Sequence, residues 1–317
     1  MLRHSISIIC ALMCVMLTAV IGCSPGGTSA NVPTFDETHA FSLLKQQVEF
    51  GPRYPGTGGH KMTAEFIQAQ LKPYADAVKV QEFSKTVRGN YLEMQNIIAH
   101  FNPDSKRHIL LAAHWDSRPT ADMEIDPAKK KQPIPAANDG GSGVAVLLEL
   151  ARMFAKQKPD VGVVMVFFDG EDYGPGEPEM FLGSKYLAKN LVDGTSYKGR
   201  VIKIYYGILL DMVGDKDLEI PKEQQSVNAA PDVVKKVWSM ADKLGYKDVF
   251  TPEVGMSIAD DHIPLNDAGV KCIDIIDFNY GPWHTLDDTP DKCSSKSLKM
   301  VGEVIANVVY AEKVESK

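Results

Sequence analysis

Two carboxylates and one imidazole, far apart in the chain, form the most chemically suggestive set of side chains in this sequence. They are Asp139, Asp172 and His284. A catalytic zinc site takes three nitrogen or oxygen ligands from the protein and leaves a fourth position open. The set meets that count and predicts a metal site. Singly the residues are less informative, since Asp139 could equally cap a helix and a lone histidine is more often structural.

Glu171 directly precedes Asp172 in the segment Phe-Phe-Asp-Gly-Glu-Asp. Adjacent residues cannot easily both ligate one ion, so Glu171 is predicted to face the substrate. A carboxylate beside a cation in a dry pocket can have its pKa tuned for proton transfer. The sequence therefore predicts a site that polarises a carbonyl and moves a proton in the same pocket.

One histidine and one further acid leave the number of metal ions open. His114 and Asp211 could hold a second ion bridged by Asp139, as in two-metal hydrolases. They could equally support a one-metal site through hydrogen bonds. Asp116, two residues after His114, is expected to orient that histidine.

The segment Asp-Asp-His-Ile-Pro at 260–264 places two consecutive acids before a histidine and a proline. A carboxylate here, Asp261, could join Asp211 and Glu171 in a proton-transfer network. The alternative for this segment is a capped, solvated turn.

Apolar runs and helical spacing alternate along the chain and predict the elements that position these residues. The predicted strands are 78–83, 92–101, 108–114, 163–168, 202–210 and 270–276, and the predicted helices are 36–50, 60–73, 143–154, 233–244 and 298–310. This alternation predicts an α/β three-layer sandwich, with a central, mostly parallel, twisted sheet flanked by helices. Ligands of such sheets lie beyond the carboxyl ends of the strands, where the polar residues fall.

The amino terminus has the pattern of an exported lipoprotein. Residues 1–22 are predicted to be a signal peptide, because a basic start is followed by a short apolar run. Val-Ile-Gly-Cys at 20–23 resembles a lipoprotein cleavage box, which would make Cys23 the lipid-bearing first residue. Residues 23–35 would then be a flexible tether and 36–317 a single catalytic domain. An ordinary signal peptide or an uncleaved anchor is the alternative.

The net charge of the chain limits the partners that it can bind, and its cysteine content limits the disulfides that it can form. The formal net charge is −7, and the sequence has no basic stripe to neutralise phosphates, which argues against nucleic acid. Membrane contact is expected only through a lipid on Cys23, in the periplasm or cell envelope. Cys272 and Cys293 are the cysteines left for the folded domain, and the sequence leaves open whether they form a disulfide.

Five motifs in order carry a family resemblance. They are His-x-Asp at 114–116, Asn-Asp-Gly at 138–140, Phe-Phe-Asp-Gly-Glu-Asp at 167–172, Leu-Asp-Met-Val-Gly at 210–214 and His-Thr-x-Asp-Asp at 284–288. The set resembles the zinc aminopeptidase superfamily over roughly residues 40–313. The segment 260–264 and the tryptophan before His284 are most similar to the animal-type glutaminyl cyclases, including those of bacteria.

The resemblance implies one zinc ion held by Asp139, Asp172 and His284. It also implies Glu171 as general acid/base, with Asp211 and Asp261 in a hydrogen-bonded relay. The implied substrates are peptides or proteins with amino-terminal glutamine, which would be converted to pyroglutamate with release of ammonia.

Aromatic residues are expected to form the substrate pocket. The resemblance assigns Trp283 to the pocket that receives the glutamine side chain, and Trp115 and Phe181 are further candidates. The chain departs from the animal enzymes in two ways. Asp172 stands where they usually have glutamate, and residues 173–180 lack the tryptophan that they carry there.

Two other functions compete with the cyclase. A di-zinc aminopeptidase would use His114 and Asp211 as additional ligands, and all five potential ligands are present. A non-enzymatic binding module should have lost its ligands or its base, and none is missing. The protein is expected to be a monomer.

Overall fold

A mixed six-stranded sheet runs through the centre of the computed structural model, which describes residues 32–314. The strands of the chain are β1 (Ala77–Val87), β2 (Asn90–Phe101), β3 (His108–His114), β4 (Gly162–Phe168), β5 (Ile204–Asp211), β6 (Ile220–Lys222), β7 (Phe250–Val254) and β8 (Cys272–Ile276). The order in the large sheet is β1-β2-β4-β3-β5-β8, while β6 and β7 form a separate parallel pair. Strands β4, β3, β5 and β8 are mutually parallel, and β1 and β2 are antiparallel additions at one edge.

Helices cover both faces of this sheet. They are α1 (Glu37–Glu49), α2 (Gly58–Leu71), α3 (Gly141–Lys156), α4 (Leu182–Lys189), α5 (Leu191–Thr195), α6 (Gln224–Ala229), α7 (Pro231–Lys243), α8 (His262–Asp267) and α9 (Ser295–Ala311). Several begin at a side-chain cap. Asp36, for example, accepts hydrogen bonds from the first-turn N–H groups of α1. The predicted α/β sandwich with a mostly parallel central sheet is confirmed.

The apolar run of β3 shows why the sheet is covered on both sides. Ile109, Leu111 and Ala113 belong to the larger core, together with residues of α1, α3 and α9. Leu110 and Ala112 belong to a second core with residues of α4 and α8. Successive side chains of a strand point to opposite faces, so a strand buried on both faces must be apolar throughout.

Several elements were not predicted from the sequence. The short helices α4, α5, α6 and α8 and the small β6–β7 sheet fall in stretches with no clear period. The predicted elements are present, with ends that differ by a few residues, such as α3 at 141–156 rather than 143–154.

The structure answers the question of a disulfide, but it does not describe the predicted signal peptide. Cys272 and Cys293 are both buried free thiols, so no disulfide joins them. The predicted signal peptide, the lipid-bearing Cys23 and the tether up to residue 31 lie outside the described residues. Across residues 32–314, no helix combines the length and apolar character needed to cross a bilayer.

Candidate active site

Asp139, Asp172 and His284 meet beyond the carboxyl ends of the parallel strands. Asp139 precedes α3, Asp172 follows β4, and His284 lies in the loop after β8. Each residue offers a ligand atom, and these atoms all lie within 4.8 Å of one another. All three side chains are buried.

The geometry and charge of this set fit a divalent cation. His284 Nε2 lies 3.5 Å from an Asp172 oxygen and 3.6 Å from an Asp139 oxygen. Burial, and then the neighbouring Asp139 charge, raise the pKa of Asp172. The other Asp172 oxygen, Oδ2, is buried with no hydrogen-bond partner. Two buried carboxylates with an unsatisfied oxygen need positive charge, and oxygen and nitrogen donors suit zinc.

Asp288 fixes the backbone that presents Asp139. Its carboxylate accepts hydrogen bonds from the N–H groups of Asn138 (2.9 Å) and Asp139 (3.2 Å), and from the Tyr280 hydroxyl (2.8 Å). Burial, reinforced by the Asp139 charge, raises the pKa of Asp288 to about 7. The last residue of the His-Thr-x-Asp-Asp motif therefore supports the turn that carries a candidate ligand.

Asp116 fixes the backbone that presents Asp172, as Asp288 does for Asp139. Its two oxygens accept the backbone N–H groups of Glu171 (3.0 Å) and Asp172 (3.1 Å). The expected contact with the His114 ring is longer, at 3.5 Å from Nδ1. Asp116 therefore shapes the turn after β4 more directly than it orients the histidine.

His114 forms another possible metal-binding group with Asp139 and Glu171, whose ligand atoms also lie within 4.8 Å of one another. Its Nε2 is 3.1 Å from an Asp139 oxygen and 3.2 Å from an Asp211 oxygen. Burial disfavours the charged ring, but Glu171 and the other surrounding carboxylates raise the pKa of His114 well above its usual value. Gly140 permits this packing, since a Cβ there would lie 2.6 Å from Nε2.

Glu171 is buried beside the candidate ligands. Burial raises the pKa of the Glu171 carboxyl well above its ordinary value, and the Asp172 charge adds to this effect. One Glu171 oxygen lies 3.6 Å from His114 Nδ1. A carboxyl group whose pKa is raised from its ordinary acidic value is better suited to both accepting and donating a proton near neutral pH.

The acids at 260–261 are buried, so the alternative of a solvated turn is wrong for this segment. Asp261 immediately precedes α8 and has no exposed surface. Asp260, His262 and Asp274 form a second group whose ligand atoms lie within 4.8 Å. Burial, and then the Asp211 charge, raise the pKa of Asp260 to about 7, and burial raises the pKa of Asp274 well above its ordinary value. This group is therefore a buried acidic neighbour of Asp211, whose charge acts on the pKa of both Asp260 and Asp274.

The three aromatic candidates occupy different environments. Trp283 is partly exposed and stacks on the His284 ring at a centroid distance of 3.9 Å. Trp115 has no exposed surface and stacks on His60 within the larger core. Its assignment as a substrate-binding residue stays a prediction, and in this structure the side chain presents no surface to a ligand.

Phe181 is almost fully buried and adopts a left-handed backbone conformation, with φ 57°, just before α4. Its N–H donates to the Glu171 carbonyl oxygen (2.8 Å), which ties α4 to the turn that carries the candidate base. Its assignment to the substrate pocket stays a prediction.

Three polar residues at the site were missed in the sequence. Arg118 and Asp122 adjoin Asp172 and His284, and Asp288 holds Asp139. Arg118 and Asp122 lie in a loop without periodicity, although the spacing of four between opposite charges was a visible signal. Asp288 belongs to the His-Thr-x-Asp-Asp motif at 284–288, whose sequence gives no sign of a contact with Asp139.

Comparison with known proteins gives a consistent result. Residues 96–309 match Peptidase family M28. The structure is similar to the glutaminyl cyclase of Bacteroides thetaiotaomicron bound to N-acetylhistamine, with 40% identity, a TM-score of 0.84 and coverage of 89% of this chain and 100% of that one. A Zn-dependent exopeptidase from Parabacteroides distasonis gives 38% identity, a TM-score of 0.84 and the same coverage. Glutaminyl-peptide cyclotransferase of Bos taurus is 27% identical over 281 residues, covering 80% of this chain and 76% of the relative.

Proposed function

Because the chain belongs to Peptidase family M28 and matches glutaminyl cyclases over most of its length, we infer that it is a zinc-dependent glutaminyl-peptide cyclotransferase. It converts amino-terminal glutamine of peptides to pyroglutamate and releases ammonia. The observation that carries this function is the buried Glu171 carboxyl beside the Asp139, Asp172 and His284 donor set.

Asp139, Asp172 and His284 would hold the zinc ion. Zinc bound there would polarise the γ-carbonyl group of the substrate glutamine. The partly exposed Trp283 ring, stacked on His284, offers an apolar wall for the glutamine side chain. A pocket that excludes water favours cyclisation, because water would compete with the α-amine as nucleophile.

Glu171 performs the proton transfers of the reaction. It removes a proton from the α-amine as the new bond to the γ-carbonyl carbon forms. It then donates that proton to the departing amide nitrogen, which leaves as ammonia. The raised pKa of the carboxyl supports this double role. Asp211 and Asp261 would belong to the proton-transfer network beside it, and burial raises the pKa of both carboxyl groups.

The contacts of His114 favour one ion per chain. Its Nε2 lies within hydrogen-bonding distance of both Asp139 and Asp211. These are the carboxylates that a second ion would need, and a protonated imidazole there would supply positive charge in its place. The group of His114, Asp139 and Glu171 is the arrangement that a second ion would use instead. A di-zinc aminopeptidase is the competing function, and the similarity to a Zn-dependent exopeptidase is the observation in its favour.

Substrate specificity separates the two functions in one experiment. The purified protein is assayed for ammonia release from a glutaminyl dipeptide amide and for hydrolysis of a leucyl chromogenic amide, and its zinc content is measured. The cyclase predicts ammonia release, no leucyl hydrolysis and one zinc per chain. Leucyl hydrolysis with two zinc ions per chain would instead establish the aminopeptidase and make His114 and Asp211 metal ligands.

The last part of the proposal is export of the protein, which is supported by the sequence alone. Residues 1–22 would direct the chain out of the cytoplasm, and Cys23 would carry a lipid that tethers a monomeric catalytic domain to the cell envelope. Mass spectrometry of the mature amino terminus tests this directly. A mature chain that begins elsewhere, or that lacks lipid on Cys23, would contradict the anchor.

A further inference from the structure

The loop segment 118–124 contacts both His284 and Asp172. Asp122 Oδ1 lies 3.1 Å from His284 Nδ1. The Met123 N–H donates to the His284 carbonyl oxygen (3.2 Å), and Glu124 accepts the Leu286 N–H (3.1 Å). One stretch of chain therefore contacts both the ring and the backbone of the candidate ligand.

His284 needs such support because its backbone is in the left-handed region, with φ 54°. A residue with a side chain pays roughly 1 kcal/mol or more for this conformation. The conformation persists only where neighbouring contacts fix it. The contacts from Asp122 and Met123 are of this kind.

Arg118 holds Asp122 in position. Its Nε donates to one Asp122 oxygen (3.0 Å) and its Nη2 donates to the other (2.8 Å). Its Nη1 donates to Asp172 Oδ1. The Arg118 side chain is only 4% exposed, so this fork is rigid and connects the environments of two candidate ligands, Asp172 and His284.

We propose that Asp122, held by Arg118, is the positioning residue that orients His284 for zinc. This inference rests on the zinc site of the proposed function. The 3.1 Å distance from His284 Nδ1 to Asp122 suits donation of an Nδ1–H to the carboxylate. In that tautomer Nε2, which faces Asp139 and Asp172, would offer its lone pair to the metal. A carboxylate in this position also increases the basicity of the ring. Orientation and charge act in the same direction, because both strengthen zinc binding.

The test measures the zinc dissociation constant of the full protein by competition with a chromogenic chelator. Asp122→Asn removes the negative charge and keeps the shape of the side chain. We expect zinc affinity to fall by about 10- to 100-fold, the range found for such supporting carboxylates. Asp122→Glu keeps the charge and is expected to recover part of the loss.

Asp126→Asn is the matched control, since Asp126 lies in the same loop, is exposed, and its side chain accepts a hydrogen bond from the nearby Ala128 N–H. It should bind zinc as tightly as the wild type. Thermal unfolding of the metal-free proteins separates positioning from folding, and metal-free Asp122→Asn should unfold close to the wild-type temperature. Cobalt(II) in place of zinc gives a second readout, because its visible spectrum reports a changed ligand geometry.

Zinc affinity of Asp122→Asn within threefold of wild type, together with an unchanged cobalt spectrum, would overturn the proposal. Failure of the underlying zinc site has a different outcome, since the wild-type protein itself would then bind no zinc and release no ammonia.

Discussion

Gly140 lets the His114 imidazole lie directly beside Asp139, and a single added methyl group should drive them apart. In Gly140→Ala, the new Cβ would lie 2.4 Å from the His114 carbonyl oxygen and 2.6 Å from Nε2. These distances are about 1 Å short of an ordinary contact. The backbone of Gly140 is in the right-handed region, with φ −64°, so the effect is steric and involves no backbone strain.

The magnitude follows from what must move. The carbonyl belongs to β3 in the centre of the sheet, so it has little freedom, and the ring has hydrogen-bonding contacts of 3.1 Å to Asp139 and 3.2 Å to Asp211. A displacement of about 1 Å takes such contacts beyond hydrogen-bonding distance. Overpacking and the loss of a charged hydrogen bond together predict a decrease of about 3 kcal/mol in the free energy of unfolding.

Urea unfolding followed by tryptophan fluorescence measures this change. Gly58→Ala is the matched control, because Gly58 begins α2 and its added Cβ would meet nothing within 4 Å. The control should be neutral or slightly stabilising, by about 0.5 kcal/mol. If Gly140→Ala unfolded within about 0.5 kcal/mol of wild type, the packing of His114 against Asp139 and Asp211 described above would be refuted.

Three further predictions concern activity and pH. Glu171→Gln should lower kcat for ammonia release by about 1,000-fold while one zinc stays bound, and near-wild-type turnover would remove Glu171 from the mechanism. Removal of zinc by a chelator should abolish ammonia release, and added zinc should restore it; activity that survives complete removal would exclude a catalytic role for zinc. Burial lowers the pKa of His100 from 6.5 to about 4. Below pH 6.5 the unfolded chain therefore binds a proton at this histidine that the folded protein does not bind, so the free energy of unfolding decreases as the pH falls. Between pH 7 and pH 5, urea unfolding of the wild type should lose about 2 kcal/mol that His100→Leu does not lose, and equal losses would show that His100 does not cause the acid sensitivity.

The central strands could be predicted because burial on both faces leaves a continuous apolar run. In β3 and β4 every residue is buried, which produces a signal that needs no knowledge of the rest of the fold. The six-residue helix α8 gave no such signal, since it contains Pro264 and begins directly after two acids. Its position depends on contacts with β8 and α4 that only the folded structure supplies.

The candidate site, like the fold, could be predicted only in part from the sequence. Residues directly after strands could be identified as neighbours, because parallel strands end at one edge of the sheet. The direction of each side chain was harder to predict. Trp115 follows His114 directly, yet it points into the core, since adjacent residues of an extended chain face opposite ways. Asp122 could not be placed, because a loop residue far from any strand end has no periodicity to locate it.

The three candidate zinc ligands lie far apart in the sequence, and this affects when the metal site can form during folding. Asp139 and Asp172 are separated by α3 and β4, and His284 lies more than 100 residues further on, after β8, the last strand of residues 32–314. Such long-range contacts form late, because the intervening chain must first close into loops. The nascent chain therefore lacks a complete metal site until β8 has docked. Zinc then stabilises the finished fold by mass action, without directing the earlier steps of assembly.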